Sequence, residues 1–348
     1  MGLSTEPFQK AGLSLTVEDL ERIVMDAAER LLPVQPASNG RSELSAAEVA
    51  FLQRAGISPT DFTPTDLGPT SALARTAADY AVLLAASLQS PWERSQGETG
   101  WTRLIAAGGF GITLPLQLKL AAALSRAAAD SEAVIVNACY PDCVNVVLDR
   151  LGFRTTCGIG NSAIVEAFCR SDGDLGSDDI RVVGHHGHLS GWLRGKASRG
   201  QPRIWVKGKE RNSLRLRPAF GSIDEELNSV TAATASRVVM AMLTGGSLHT
   251  SVPGVAGLPG GYPFVLKRRK FTLHLPSGIT SAEAIAHNKT GERLDGLQLG
   301  LGVRFVGKAC LALMRVGFEY AEGFDLAEWK SVCDRMLALR DRLRVTQV

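Results

Sequence analysis

The sequence predicts an α/β protein: an all-helical N-terminal region over residues 1–92, a partial doubly wound parallel sheet over 93–200, and an α+β domain over 201–348. Three observations predict it. Between Trp101 and Leu189, short apolar runs alternate with helix-length segments, the pattern of a parallel sheet faced by helices. Before that stretch, apolar residues recur at helical spacing between Pro- and Ser-rich linkers. After Pro202 the pattern becomes mixed. The composition, 45% hydrophobic and 21% charged, is that of a globular chain, and 348 residues suffice for two domains.

The helical region begins with "LTVEDLERIVMDAAERLL". Thr16 is placed to cap it, acids fill its first turn, and Leu20, Ile23, Val24, Ala27 and Leu31 share one face. Pro33 and Pro36 end it. "ELSAAEVAFLQRAG" starts at Ser45 and stops at Gly56, and "SALARTAADYAVLLAASL" reads as a third helix. Leu15 to Gln89 carries ten acids and five bases, whereas the whole chain is +3. An acidic front part argues against gripping nucleic-acid phosphates.

The α/β stretch follows in order. "WTRLIAAGGFG" reads as a buried strand running into a Gly-rich turn. "LPLQLKLAAALSRAAA" is a helix, "EAVIVNACYPD" a strand, "CVNVVLDRLG" a helix, "RTTCGIG" a short strand, "NSAIVEAFCR" a helix and "DDIRVVGHHGHL" a further strand. In the last region "PRIWVKG" and "FVLKRRKFTLHLP" read as antiparallel strands, with the Lys267–Lys270 run as a solvated turn. "SIDEELNSVTAATASRVVMAMLTGG" is a long helix ending at Gly245, and "DLAEWKSVCDRMLALRDRL" closes the chain. The uncharged loop Pro253 to Pro263 is expected to lie over a pocket that Asn228 and His249 could face.

Six cysteines occur without a CxxC pair, which fits a reducing compartment. "MGLSTEPFQK" lacks a basic segment followed by an apolar core, and no apolar run approaches the roughly 18 residues of a membrane span. The expectation is a cytoplasmic protein with a small-molecule substrate, no membrane or nucleic-acid partner, and a homo-oligomer left open.

The chemistry concentrates in "RVVGHHGHLSGW", which holds His185, His186 and His188, half of the chain's six histidines. If the strand continued, His186 and His188 would share a face and could meet Cys143, Cys157 or Asp142 around zinc. No HxxxH, HExxH or CxxC spacing supports a metal, and none is expected. The alternative is one acid–base histidine at a strand end, where open α/β sheets place ligands.

From about Trp101 to the C-terminus, these segments resemble the lactate/malate dehydrogenase superfamily. "LIAAGG" resembles the turn beside that family's dinucleotide. "VIVNACYPD" resembles its strand ending at the nicotinamide, and "GIGNSAIVEAFCR" its substrate-binding turn and helix. "GHHGH" resembles its Gly-x-His-Gly motif at Gly184, His186 and Gly187. The resemblance implies a nicotinamide-dependent oxidoreductase. His186 would be the acid–base residue with Tyr140 and Asp142 near it, and Asp142 or Glu166 would orient its ring. Gly108, Gly109, Asn137, Pro141, Gly158 and Gly160 would lie on the NAD or NADP side. The departures are Ile164 for the orienting carboxylate, Ala167 for the arginine that clamps a substrate carboxylate, Tyr140 for Asn and His188 for Asp. They imply a small polar substrate other than a simple 2-hydroxy acid. No Gly-rich phosphate loop follows a strand in residues 1–100, so an inactive remnant fused to a helical regulatory region is the alternative. Residues 15–90 resemble the helical part of actinobacterial DNA-binding and antitoxin-like proteins.

Overall fold

The computed structural model describes residues 81–84, 98–127, 134–171, 175, 179–195, 200–216, 230, 231, 234, 235, 237–239, 241, 242 and 245–345. The first two helices expected before Gly56, and Asn228, lie outside them. The described residues form a mixed α/β fold built of small sheets.

One sheet is parallel, with β1 (Ala81–Leu84), β2 (Val134–Asn137) and β3 (Cys157–Gly158) in that order. Strand β1 corrects the third expected helix over Ala81–Leu84; the rest of that segment lies outside the described residues. "AVLL" is a continuous apolar run, and pairing it with Val134–Asn137 satisfies its backbone within a sheet. A second correction is "WTRLIAAGGFG", whose first part is helix α1 (Gly100–Gly108). Thr99 and Thr102 form a reciprocal capping box, and Trp101, Leu104, Ile105 and Gly108 are buried on one face. The spacing 101, 104, 105, 108 has the helical period, which a reading by hydrophobicity alone misses.

The expected helices after it are present: α2 (Leu114–Ala127), α3 (Pro141–Arg150) and α4 (Ser162–Ser171). The next strand, β4 (Ile180–Val183), does not extend the parallel sheet. It pairs antiparallel with β5 (Arg203–Val206), which pairs with β6 (Lys209–Arg211). The doubly wound reading of 93–200 therefore fails at β4. The strand also ends sooner than expected, because His186 opens helix α5 (His186–Leu193).

A third sheet, β7 (Ser247–Pro253), β8 (Gly261–Lys267) and β9 (Lys270–Leu273), contains the expected basic hairpin. Arg268 and Arg269 form its turn with positive φ values of 48° and 66°. Helix α6 (Ser281–Leu294) follows, started by a capping box of Thr280 and Glu283. The chain closes with an antiparallel sheet of β10 (Leu297–Leu299), β11 (Gly302–Phe305) and β12 (Gly323–Asp325), with helix α7 (Lys308–Arg315) between β11 and β12, and then helix α8 (Trp329–Arg344). Among the described residues no helix is long and apolar enough to cross a membrane.

Three apolar clusters hold these parts together. One joins α1, α2 and α3 to the β10–β12 sheet, α7 and α8. A second packs the C-terminal part of the parallel sheet on β7 and β8. The third lies between α4, α5, β4 and β5. The site occupies the seam where α3, α5 and α6 meet.

Candidate acid–base site

Two glycines let α5 and α6 approach closely. A Cβ on Gly187 would lie 2.4 Å from the Gly291 carbonyl oxygen, and one on Gly291 would lie 2.3 Å from the His185 Cβ. Side chains at either position would push the helices apart. The contact brings Asp295, the residue after α6, to the start of α5. There its Oδ2 lies 2.8 Å from His186 Nδ1. Asp295 is 4% exposed, whereas the His186 side chain keeps 22% of its surface open. Burial works against the Asp295 charge, but the His186 and His185 imidazoles outweigh it and hold the carboxyl well below the usual range.

Phe110 lies against the His186 ring, 4.5 Å between centroids and tilted by 31°. The Gly-rich turn explains how. Gly111 N–H donates to the Asp295 carbonyl at 2.9 Å, and a Cβ on Gly109 or Gly111 would meet that same oxygen at 3.0 or 2.5 Å. These glycines seat Phe110 over the imidazole. Gly108 faces Ile112, Ala309 and Ala312 in the core. Gly108 and Gly109, expected on the cofactor side, both sit at close backbone approaches, Gly108 against the core and Gly109 against the Asp295 carbonyl.

Tyr140 lies under the same carboxylate. Its hydroxyl donates to Asp295 Oδ2 at 2.8 Å, and its ring meets His186 edge-on at 5.5 Å. Burial, then the Asp295 charge, raises its pKa well above the ordinary phenol. It is a fixed donor rather than an acid. No cis peptide bond occurs among the described residues, so Tyr140–Pro141 is trans.

Asp142 is corrected as an orienting partner for the ring. Its Oδ1 accepts the His186 backbone N–H at 3.0 Å and its Oδ2 is held by Asn161. It anchors the first turn of α5, and burial raises its pKa. Glu166 is engaged elsewhere, with Arg170 at 3.0 Å and the Ser251 N–H at 2.7 Å. The carboxylate bonded to the His186 ring is that of Asp295.

The other two histidines of "GHHGH" form a capping box. His185 Nδ1 accepts from Gly187 N–H at 3.1 Å, and His188 Nδ1 accepts from His185 N–H at 3.2 Å. Thr290 spends its proton on the His287 carbonyl, so its oxygen accepts from His188 Nε2 at 2.9 Å. Both nitrogens of His188 are therefore engaged within the protein, and its ring stacks on His287 at 4.3 Å. Burial pushes His188 well below the ordinary imidazole, and burial with Arg203 pushes His287 down to about 4. Among the described residues no group of three His, Cys, Asp or Glu side chains is arranged to hold a metal ion. His249 pairs with His274 instead of facing this site.

The remaining residues expected on the cofactor side close the ends of β2 and β3. Asn137 bonds Cys139 N–H at 2.7 Å and Asn145 Oδ1 at 2.7 Å. Pro141 is the first residue of α3, and a Cβ on Gly158 would lie 2.1 Å from the Pro141 Cβ. Gly160 has a φ of 94° and turns the chain into α4. The loop Gly254–Gly260 is clamped onto α3 through Asn145 and the Asp142 carbonyl. Asn137, Pro141 and Gly158 thus each have hydrogen-bonding or packing partners within the protein.

No protein-family model, no curated protein and no solved structure matches the chain.

Proposed function

We propose that the protein is an acid–base enzyme in which His186, held by Asp295, moves a proton to or from an oxygen of a small polar substrate. One observation carries this: His186 has Nδ1 locked on a buried carboxylate while its ring stays partly open. That arrangement sets the ring orientation and leaves Nε2 for proton exchange. Phe110 offers an apolar wall on one side of the ring. Helix α4 offers no carboxylate clamp, since Ala167 occupies the expected position and Arg170 is paired with Glu166. This supports a substrate that is not a simple 2-hydroxy acid.

The oxidoreductase form of the proposal, with NAD or NADP, rests on the resemblance to the lactate/malate dehydrogenase superfamily. Gly108, Gly109, Asn137, Pro141 and Gly158 do not support it, since each has an internal use. Proton transfer at His186 requires no hydride step and stands without one. The same packing favours a second proposal, an inactive remnant whose helical N-terminal region has a regulatory role. A cytoplasmic setting accords with either, because all six cysteines are free thiols.

The test is a panel of small ketones and alcohols with wild type and His186→Gln. Solvent deuterium exchange is followed by NMR, and NADH and NADPH binding by fluorescence. We expect exchange or turnover in wild type that falls about 10²–10⁴-fold in the variant. Nucleotide binding would add the oxidoreductase form. Neither exchange, turnover nor nucleotide binding in wild type would overturn the enzyme proposal in favour of the remnant.

A further inference from the structure

Two hairpins of this chain have the same turn geometry and differ in charge. In each, two residues with positive φ join paired strands, a turn that Asn and Gly accept most readily. Lys207 and Gly208 form the turn between β5 and β6, with φ values of 51° and 73°. There Arg203 on β5 meets Glu210 on β6 at 2.7 Å, an opposite-charge pair. Arg268 and Arg269 form the turn between β8 and β9, with 48° and 66°. Its last rung sets Lys267 directly opposite Lys270, a like-charge pair that repels across the strands.

Long side chains in the left-handed region and a like-charge rung both work against the second hairpin. Arg269 has an internal use, since its Nε donates to the Met242 carbonyl at 3.1 Å. Lys267, Arg268 and Lys270 are exposed, and their side chains make no hydrogen bond or ion pair among the described residues. The face that carries the two lysines continues along the sheet. Ser247, Lys267 and Lys270 form one row and His249, Val265 and Thr272 the next but one. The row between them, Leu248, Leu266 and Phe271, points the other way into the core.

We propose that this basic hairpin face is the docking site of the acidic segment Leu15–Leu32 of the same chain. Charge complementarity carries the assignment. The segment holds Glu18, Asp19, Glu21, Asp26 and Glu29 against Arg22 and Arg30. The whole chain is +3 and Leu15–Gln89 is −5, with residues 1–14 and Ser90 neutral, so the chain from Pro91 onward carries +8. The acidic run from Asp172 to Asp179 is already counted in that surplus, and Asp179 has both oxygens on Arg181. The 48 residues from Pro33 to Tyr80 span up to about 160 Å when extended, so the tether reaches. Covalent connection also favours this segment over the same segment of a second copy. The contact is independent of proton transfer at His186.

The experiment treats the full chain at low salt with a water-soluble carbodiimide, which joins a lysine amine to a touching carboxylate as an amide. Mass spectrometry reads the linked peptides, and an equal mixture of ¹⁴N- and ¹⁵N-labelled chains separates links within a chain from links between chains. Lys267 or Lys270 is expected to join Glu18, Asp19, Glu21, Asp26 or Glu29 in peptides of one isotope. These links are expected to be lost at about 1 M salt, where the Debye length is about 3 Å. Lys270→Glu gives the last rung opposite charges, which favours the hairpin itself. It is nevertheless expected to remove most of the links from Lys267. Links that carry both isotopes would assign the face to a second copy, and links only to Asp172–Asp179 would assign it to that run. Either result overturns the proposal, as do the absence of links and links from Lys267 that Lys270→Glu leaves unchanged.

Discussion

His186 and His188 stand two residues apart on one helix and have opposite environments. His188 is fully buried, with one nitrogen accepting from His185 N–H and the other bonded to Thr290, and its ring stacked on His287. His186 spends one nitrogen on Asp295 and keeps its ring partly open. The first arrangement leaves no nitrogen for a ligand or a metal. The second leaves one, with its orientation fixed. The number of histidines in a motif therefore says little. What matters is how many nitrogens remain after the internal hydrogen bonds are made.

The comparison can be broken most forcefully at Asp295. Asp295→Ala removes the acceptor shared by Tyr140 and His186 and leaves the phenol unpaired in the interior. Breaking a buried, paired group costs about 3–5 kcal/mol. Urea denaturation should show that loss. A loss well under 1 kcal/mol would mean that Asp295 does not hold the seam.

The sealed side has its own signature in pH. Burial and Arg203 lower His287 to about 4, so the folded chain resists a proton that the unfolded chain accepts below about 6.5. Stability is therefore lost as pH falls from about 6.5 toward 4, and the loss levels off once the folded ring also protonates. For this largely buried ring the loss is about 2 kcal/mol at most after discounting for exposure. Glu210, which also faces His287, acts in the opposite direction, so the difference between wild type and His287→Gln isolates the effect. Parallel stability curves for the two proteins over that interval would sink it. Protonation of Asp295 weakens the fold only at still lower pH, because its carboxyl is held below the ordinary range.

The contact that lets Asp295 reach His186 is tested at Gly187. A Cβ there would lie 2.4 Å from a backbone oxygen, which cannot move without α6. Gly187→Ala should cost about 1–3 kcal/mol by overpacking and also weaken the His186–Asp295 contact. Thermal unfolding checks the first part, and the His186 Nδ1 proton resonance checks the second. An unchanged melting temperature would show that the helices have slack.

How much of this was legible differs between the two partners of the site. The helix α3 turn, the short β3 strand, the basic hairpin and the final helix follow from local patterns, and the structure has them. His186 stands out by its motif. Asp295 does not, because it lies 109 residues away and no local rule joins it to "GHHGH". A signal for its helix was present: Thr280 and Glu283 have the spacing of a capping box, and Asp295–Gly296 follows as an end. The failed strand at Trp101 shows the same lesson in reverse, since Thr99 and Thr102 announce a helix through hydrogen bonding while the apolar content suggests a strand. Strand β4 reads correctly as a strand but not as antiparallel, because its partner is chosen by tertiary packing.

The smallest stability effect is expected at His186 itself. His186→Gln removes a partly open ring but keeps an amide that can still approach Asp295, so it should cost about 1 kcal/mol, less than Asp295→Ala. The same substitution should lower exchange or turnover by about 10²–10⁴-fold. His188→Gln should do the reverse. Its ring is sealed, its two hydrogen bonds cannot both be reproduced by an amide, and its stack on His287 is lost. It should therefore cost more stability than His186→Gln, and activity per folded molecule should fall far less. Measuring both quantities for both variants separates an acid–base group from a structural one. If the two substitutions lower stability and activity in the same proportion, the division between the open and the sealed histidine does not exist.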